Sequence, residues 1–320
     1  MRGILPSLIK EEDLPLVSVV ILNFNGKKYL GELLIDCIES VLNSDYPRVE
    51  VIIVDNGSTD GSVEYIKNRF KDNPKIRYKL LNKNYGVAKG NNEGIKTARG
   101  EIILLLNSDT IVPKETISTM VQTLLSNPSI GILGCRILNP DGTLQSEGGA
   151  FPTKKLWMLD LVYPPISSKV AMKDFRFKDG IKYVDWVMGA GWMIRKSVFD
   201  SIGLFDEDYW AYEGEIDLCY RARKAGYEVA CCLKAPIFHY ANMTARHFSK
   251  WQTDLRERNR LLFFIKNTSL ITVLTIYCLN ILHIIKCYLA FLIKKNSYSR
   301  QIAKSKLNAF SYVKRSVLPP

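Results

Sequence analysis

Residues Ile102 to Leu106 form an unbroken apolar run that stops on Asn107, Ser108 and Asp109. A run apolar at every position reads as a strand buried on both faces. Its carboxyl end is where an open α/β sheet meets its ligands. Asn107 and Asp109 are two residues apart, so both side chains leave the strand on the same side. An acid in that place could hold a divalent cation, because hard cations take carboxylate oxygens and share the phosphate oxygens of a nucleotide.

Three other stretches carry residue types that do chemistry. In "VIIVDNGSTDGS" the strand-like Val51–Val54 ends on Asp55. Ser58, Thr59 and Asp60 suit the cap of a following helix, which leaves Asp55 as a carboxylate able to hydrogen-bond a base or a ribose. In "NKNYGVAKGNNEGI" Gly86, Gly90 and Gly94 recur around Asn91 and Asn92. Glycine inside a helix costs about 1 kcal/mol relative to alanine. Either the helix must lie close on a sheet or its backbone must approach a ligand, and the spacing does not choose between them. In "FDEDYWAYEGEIDLCYRARKAGY" six acids fall between Asp206 and Asp217. Asp206, Glu207 and Asp208 suit a helix N-terminus through its dipole. Glu215 and Asp217, just before the apolar Leu218, are the acids left to do chemistry.

The elements that must position these groups alternate. Val17–Leu22, Val51–Val54, Ile76–Leu81 and Ile102–Leu106 read as strands, and Leu30–Leu42, Val63–Phe70 and Val87–Ala98 as helices. That rhythm predicts an α/β fold with a mainly parallel, doubly wound sheet. Asn139-Pro140-Asp141-Gly142 reads as a turn, 151–182 as a variable loop, and "GEIDLCYRARKAG" as a helix.

The chain has 320 residues, 47% hydrophobic and 24% charged, enough for one large α/β domain plus additions. Seven cysteines without a CxxC pair suit reduced thiols in a cytosolic setting. The opening "MRGILPSLIKEED" has too short an apolar stretch for a signal peptide. Net charge is +12, and its placement is uneven. No acid follows Glu257, while residues 258–320 carry eleven Lys or Arg. The first 257 residues hold 33 basic and 32 acidic groups, a near-neutral body on which a nucleic-acid partner is not expected.

A tail both basic and oily points to an anionic membrane surface. Over 268–293, helical periodicity puts Thr268, Thr272, Thr275, Asn280, His283 and Lys286 on one stripe, which Lys294 continues. Leu270, Leu274, Ile281, Ile284, Ile285, Tyr288 and Leu292 lie opposite. This predicts a helix in the membrane interface. One spanning helix is the competitor, although a charge at mid-bilayer costs at least about 2.5–3.5 kcal/mol.

In order, "VSVVILNFNG", "VIIVDNGSTDGS", "NYGVAKGNNEGI", "LLLNSDT", "GAGWMIRKSVFDSIGLFDEDYWAYEGEIDLCYRARKAGY" and "IFHY" resemble glycosyltransferase family 2, of the GT-A fold, in its rhamnosyltransferase-like branch. The resemblance covers roughly 16–265. It implies a hexosyl- or rhamnosyltransferase-like enzyme moving a sugar from a nucleotide-sugar donor to a glycan or lipid-linked acceptor by inverting displacement. Asn25 would line the nucleotide site, Asp55 would contact base or ribose, and Asn91 would border the nucleotide. Asp109, with His239, would hold Mg²⁺ or Mn²⁺ against the diphosphate, and Asn107 would orient the site. Glu215 would be the base, with Asp217 its neighbouring candidate. Arg258 and Arg260 would help hold phosphates.

Two positions depart from the family pattern. Asn107-Ser108-Asp109 stands where two acids are usual, and Gly214-Glu215 stands where Glu-Asp is usual, with Gly214 giving room for the longer side chain. The implied organisation is a GT-A domain over 1–267, with a nucleotide half of about 16–112 and an acceptor half of about 113–267. Residues 268–320 would be the membrane-associating tail, at the cytoplasmic face of the cell membrane. A nucleotidyltransferase and an inactive sugar-nucleotide binding module are the rival readings.

Overall fold

The computed structural model describes residues 11–153, 155, 175–241, 243, 249–294 and 297–317. Its first half is built on four parallel strands: β1 (Val17–Asn23), β2 (Val49–Asn56), β3 (Ile76–Leu81) and β4 (Ile102–Asn107). They lie in the order β3-β2-β1-β4. Successive side chains of a strand point to opposite faces, and the core divides accordingly. Val19, Ile21, Val51, Ile53 and Leu104 face α2 (Glu32–Leu42) and α3 (Ser62–Arg69). Val20, Ile52, Val54, Ile103 and Leu105 face α4 (Val87–Thr97). The helix expected around Leu30–Leu42 is α2, which begins at Glu32; Gly31, φ 58°, sets it apart from a short preceding α1 (Gly26–Tyr29).

The second half mixes directions. It comprises β5 (Thr110–Ile111), α5 (Thr116–Ser126), β6 (Ile130–Leu138), β7 (Leu144–Ser146), β8 (Phe177–Lys178), β9 (Ile181–Tyr183) and β10 (Gly191–Arg195). Then follow α6 (Lys196–Ile202), α7 (Gly214–Lys224) and β11 (Glu228–His239). Among the described residues the sheet runs β3-β2-β1-β4-β10-β6-β11-β9-β8, with β5 on β11 and β7 on β6. The strand β10 is antiparallel to both β4 and β6 and joins the halves. Most of the loop expected at 151–182 lies outside the described residues. Its described end forms the β8–β9 hairpin instead, which adds to β11.

The glycine question resolves toward packing for two of the three. A Cβ on Gly90 would stand 2.5 Å from Leu22 Cδ1, and one on Gly94 would stand 2.3 Å from Val20 Cγ1. Glycine lets α4 lie directly on β1 and β2.

The C-terminal helices are α8 (Ser249–Asn267), α9 (Leu270–Lys294) and α10 (Ser297–Val317). They pack on one another rather than trailing from the domain. Leu261, Phe263 and Phe264 of α8 and Ile276 of α9 share a buried cluster with Ile216 of α7. The stripes expected on α9 are modified by this packing. Asn280 is turned inward to accept a hydrogen bond from Lys306 Nζ at 2.9 Å, and Lys306 also pairs with Glu257 at 2.6 Å. Ile284, placed on the outer apolar stripe by periodicity, is buried. Leu270, Ile271, Leu274, Ile281, Ile285 and Leu292 remain exposed.

Gly94→Ala tests the close contact of α4 with the sheet. Helix propensity favours alanine by about 1 kcal/mol, but the new methyl overlaps Val20 and Val54. We expect a net loss of ~1–3 kcal/mol in urea unfolding; a stabilised variant would refute the tight contact.

Candidate active site

The parallel register brings three strand ends together. Asn23 lies opposite Asp55, and Leu22 opposite Asn107. Strand order reverses at β1, between the β2 and β4 sides, which is where such sheets open a crevice. Asp55 is 4% exposed, and both its oxygens are engaged. Asn23 Nδ2 donates to Oδ1 at 2.7 Å, and the Ser58 N–H donates to Oδ2 at 2.9 Å. Asn25 has a left-handed backbone, φ 51°. Its Oδ1 accepts the Thr59 N–H at 2.8 Å, and its own N–H donates to Ser58 Oγ at 2.8 Å. Together Asn23, Asn25 and Asp55 fix the two loops that leave β1 and β2.

Asn91 is half-buried on α4. Its neighbour Asn92, not singled out from sequence, is buried and accepts from Phe205 N–H at 3.0 Å while donating to Phe205 carbonyl at 2.9 Å. That pair ties α4 to the segment leading to α7.

At the end of β4, β5 pairs with β11 so that His239 lies opposite Thr110. His239 Nε2 then stands 3.3 Å from Asp109 Oδ1 and 3.4 Å from Asn107 Nδ2. His239 Nδ1 is 2.6 Å from Gln145 Oε1. The Gln145 amide is oriented by its Nε2, which donates to Asn139 Oδ1 at 2.7 Å and to the His239 carbonyl at 3.3 Å. With an oxygen facing Nδ1, the imidazole proton belongs there, and the Nε2 lone pair points toward the Asp109 carboxylate. An imidazole nitrogen and a carboxylate oxygen at this spacing, with the Asn107 amide beside them, are groups that could share a cation. Among the described residues no group of three or more His, Cys, Asp or Glu could hold a metal. Asp109 and His239 would thus be a two-ligand set, leaving positions for phosphate oxygens and water, as small hard cations use them. Gln145, on the short β7, carried no sequence signal for this role.

The second corner lies at α7. Glu213 caps it from a left-handed backbone, φ 63°, and Glu215 sits in its first turn. Glu215 keeps an accessible edge, and no hydrogen bond to its side chain from another residue is seen among the described residues. Burial, reinforced by the Glu213 charge and opposed by Arg256, pushes its carboxyl from an ordinary 4.5 up to about 7. Burial also raises Glu213, against the nearby Arg260 and Arg256. Asp217 differs. It is 2% exposed and accepts from Arg221 Nε at 2.8 Å, Asn267 Nδ2 at 2.9 Å and the Tyr209 hydroxyl at 3.3 Å. Gly214 is not needed for room, since a Cβ there would stand 3.6 Å from Phe205, an ordinary contact. Gly189 does lie beside Glu215, with nothing nearer to its Cβ position than 3.9 Å. Arg258 donates to the Asp208 carbonyl. Arg260 is felt at Glu213. Both arginines therefore engage the segment before α7.

A mainly parallel, doubly wound sheet with acids ending β2 and β4 is the architecture of a GT-A glycosyltransferase fold. The profile of glycosyl transferase family 2 matches residues 18–203, and the chain belongs to that family. It is 28% identical to the low-salt glycan biosynthesis hexosyltransferase Agl10 of Haloferax volcanii over 77% of this chain and 74% of that one. It is 26% identical to the N-acetylglucosaminyl-diphospho-decaprenol L-rhamnosyltransferase of Mycobacterium tuberculosis over 62% of this chain and 69% of that one. In fold it resembles the mannosyltransferase PcManGT of Pyrobaculum calidifontis, solved with GDP-Man and Mn²⁺. The TM-score is 0.58 at 14% identity, over 95% of this chain and 88% of that one.

The raised Glu215 pKa has a stability consequence. Between pH 4.5 and about 7 the folded chain binds a proton there that the unfolded chain does not. Stability from this group is therefore present below that window and is lost as pH rises through it. We expect Glu215→Gln to raise the thermal midpoint at pH 8 and to leave it nearly unchanged at pH 4.5. An equal effect at both values would contradict the assignment.

Proposed function

We propose that this glycosyltransferase moves a hexosyl or deoxyhexosyl group from a nucleoside-diphosphate donor to an acceptor hydroxyl with inversion, and that the acceptor is a glycan on a lipid carrier. The observation that supports the mechanism is the contrast between two polar corners, one after β4 and one at the start of α7. The Asp109–His239 corner suits the diphosphate, and Glu215 is the carboxylate with an accessible edge and a pKa near neutrality. Asp109 and His239 would hold Mg²⁺ or Mn²⁺, and a bound cation would supply charge neutralisation for the leaving diphosphate. Asn107 orients His239, and Gln145 fixes its tautomer. Glu215 takes the acceptor hydroxyl proton as the oxygen attacks the anomeric carbon; such a base typically contributes about 10²–10⁴-fold in rate. Asp217, engaged by Arg221 and Asn267, supports α7 instead. Asn25, Asp55 and Asn91 border the nucleotide side. The complex of PcManGT, a protein of similar fold, with GDP-Man and Mn²⁺ supports this reading.

The test is a panel of nucleotide-sugars with Mn²⁺ or Mg²⁺, read as nucleoside diphosphate release with and without lipid-linked acceptor. Glu215→Gln should lower kcat by at least ~10²-fold while donor affinity is nearly kept. Asp109→Asn should weaken Mn²⁺-dependent donor binding itself. Wild-type protein that binds donors without turnover would favour an inactive binding module, and release of pyrophosphate would favour a nucleotidyltransferase.

The placement at a membrane rests on α9. Among the described residues, Leu270–Leu292 is long and apolar enough to cross a bilayer by length and composition. A crossing helix would have to leave α10, whose Lys306 is 4% exposed and bound to both Asn280 and Glu257. Lying flat, α9 keeps those bonds and presents Leu270, Leu274, Ile281, Ile285 and Leu292 to lipid, while the acid-free tail meets anionic headgroups. Flotation should show binding to anionic vesicles that weakens with salt and is released by carbonate at high pH. Carbonate-resistant protein would mean a span, and equal flotation on neutral vesicles would remove the electrostatic component.

A further inference from the structure

The segment between the acids at 206–208 and α7 is held in an unfavourable backbone. Trp210, Tyr212 and Glu213 all have positive φ, at 55°, 64° and 63°. For residues with side chains of this size such conformations are unfavourable and persist only where surroundings over-determine them. One side chain meets the whole segment. Asn259 of α8 is fully buried, and its Nδ2 lies 2.8 Å from the Tyr209 carbonyl, 2.6 Å from that of Ala211 and 2.8 Å from that of Tyr212. Turning the backbone left-handed is what points these carbonyls at one amide. Apolar and polar contacts from the same helix follow: the Trp251 ring meets Trp210 edge-on at 4.9 Å, and Arg256 covers the Tyr212 ring at 4.7 Å. On the opposite side the segment touches the donor half. The Ala88 N–H donates to the Trp210 carbonyl at 3.0 Å, and Gly86 has no Cβ because Trp210 occupies that space, 2.6 Å from where one would be.

From this geometry we propose that Asn259 is a positioning residue: by gathering three carbonyls it holds the strained segment that sets Glu213 and Glu215 at the start of α7. The inference rests on Glu215 being the base. Asn259 is fully buried, and nothing in the segment's own sequence imposes the left-handed turns, since none of its three left-handed residues is Gly or Asn. The donors come from a helix nearly fifty residues downstream, |i−j| = 47 for the Tyr212 bond. Nucleotide binding depends on β1, β2 and β4 and should be nearly indifferent to this amide. Turnover should not be.

The experiment compares wild type, Asn259→Ala and Asn259→Leu in the full chain; Leu keeps the volume and removes the donors. Three readouts are taken: Mn²⁺-dependent binding of UDP, GDP and dTDP, kcat and KM for whichever nucleotide-sugar turns over, and amide exchange by mass spectrometry. We expect nucleotide affinity and donor KM within about threefold of wild type and kcat reduced at least ~30-fold, the pattern of a lost transition-state interaction. Exchange should rise in peptides covering 208–217 and stay unchanged in those covering β1 and β4. Unchanged kcat in either folded variant would overturn the proposal. So would parallel losses of nucleotide affinity, kcat and sheet protection, which mean a structural role only. If wild type itself shows no turnover, the functional reading fails separately, and unaltered exchange at 208–217 in the variants would still refute the clamp.

Discussion

The parallel register of β2, β1 and β4 is the constraint on which the rest of the molecule depends. Because Asn23 meets Asp55 and Leu22 meets Asn107, three strands end at one level. Every polar group that terminates them emerges into the same space. Burial on both faces keeps the middle of each run apolar, and the other buried polar pair of these three strands, Ser18 with Glu50, sits at their opposite ends, where Arg77 and the Arg99 N–H satisfy the carboxylate. The chemistry is therefore confined to the sheet edge by hydrophobicity as much as by design of the site. Close seating of α4 through Gly90 and Gly94 keeps that face thin enough for Asn92 to reach the segment after α6.

Two corners then need different environments. Near His239, an imidazole nitrogen and the Asp109 carboxylate stand 3.3 Å apart, with the Asn107 amide beside them. Near Glu215, water is largely excluded and a second carboxylate stands close, so that the proton is held more tightly than in solution. A base at the usual carboxylate pKa would be a weak proton acceptor at neutral pH; moving it upward matches it better to an alcohol.

Strand positions and the acids that end them were legible because burial on both faces leaves a plain apolar signature, and Asp55 and Asp109 stand at its boundaries. The α4 glycines were visible but ambiguous, and contact distances with Val20 and Leu22 were needed to decide for packing. Gln145, Asn92 and Asn259 could not be read. Each is an amide whose partners are distant in sequence, and an amide at a given position has no periodic or compositional mark. The same limit explains the tail. Periodicity placed Asn280 on a solvent stripe and Ile284 on the opposite one, because a single helix contains no information about Lys306 on another. Asp217 and Glu215 looked equivalent by type and spacing; Arg221, one turn on, is what separates them.

The helix α8 belongs to two neighbourhoods at once. Asn259 faces the segment before α7, while Leu261, Phe263 and Phe264 share a cluster with Ile276 of α9. A helix is stiff over such a length, so the crevice and the exposed apolar face of α9 are rigidly related. On a bilayer, that relation would act as a gauge: Glu215 would stand at one fixed height above the lipid.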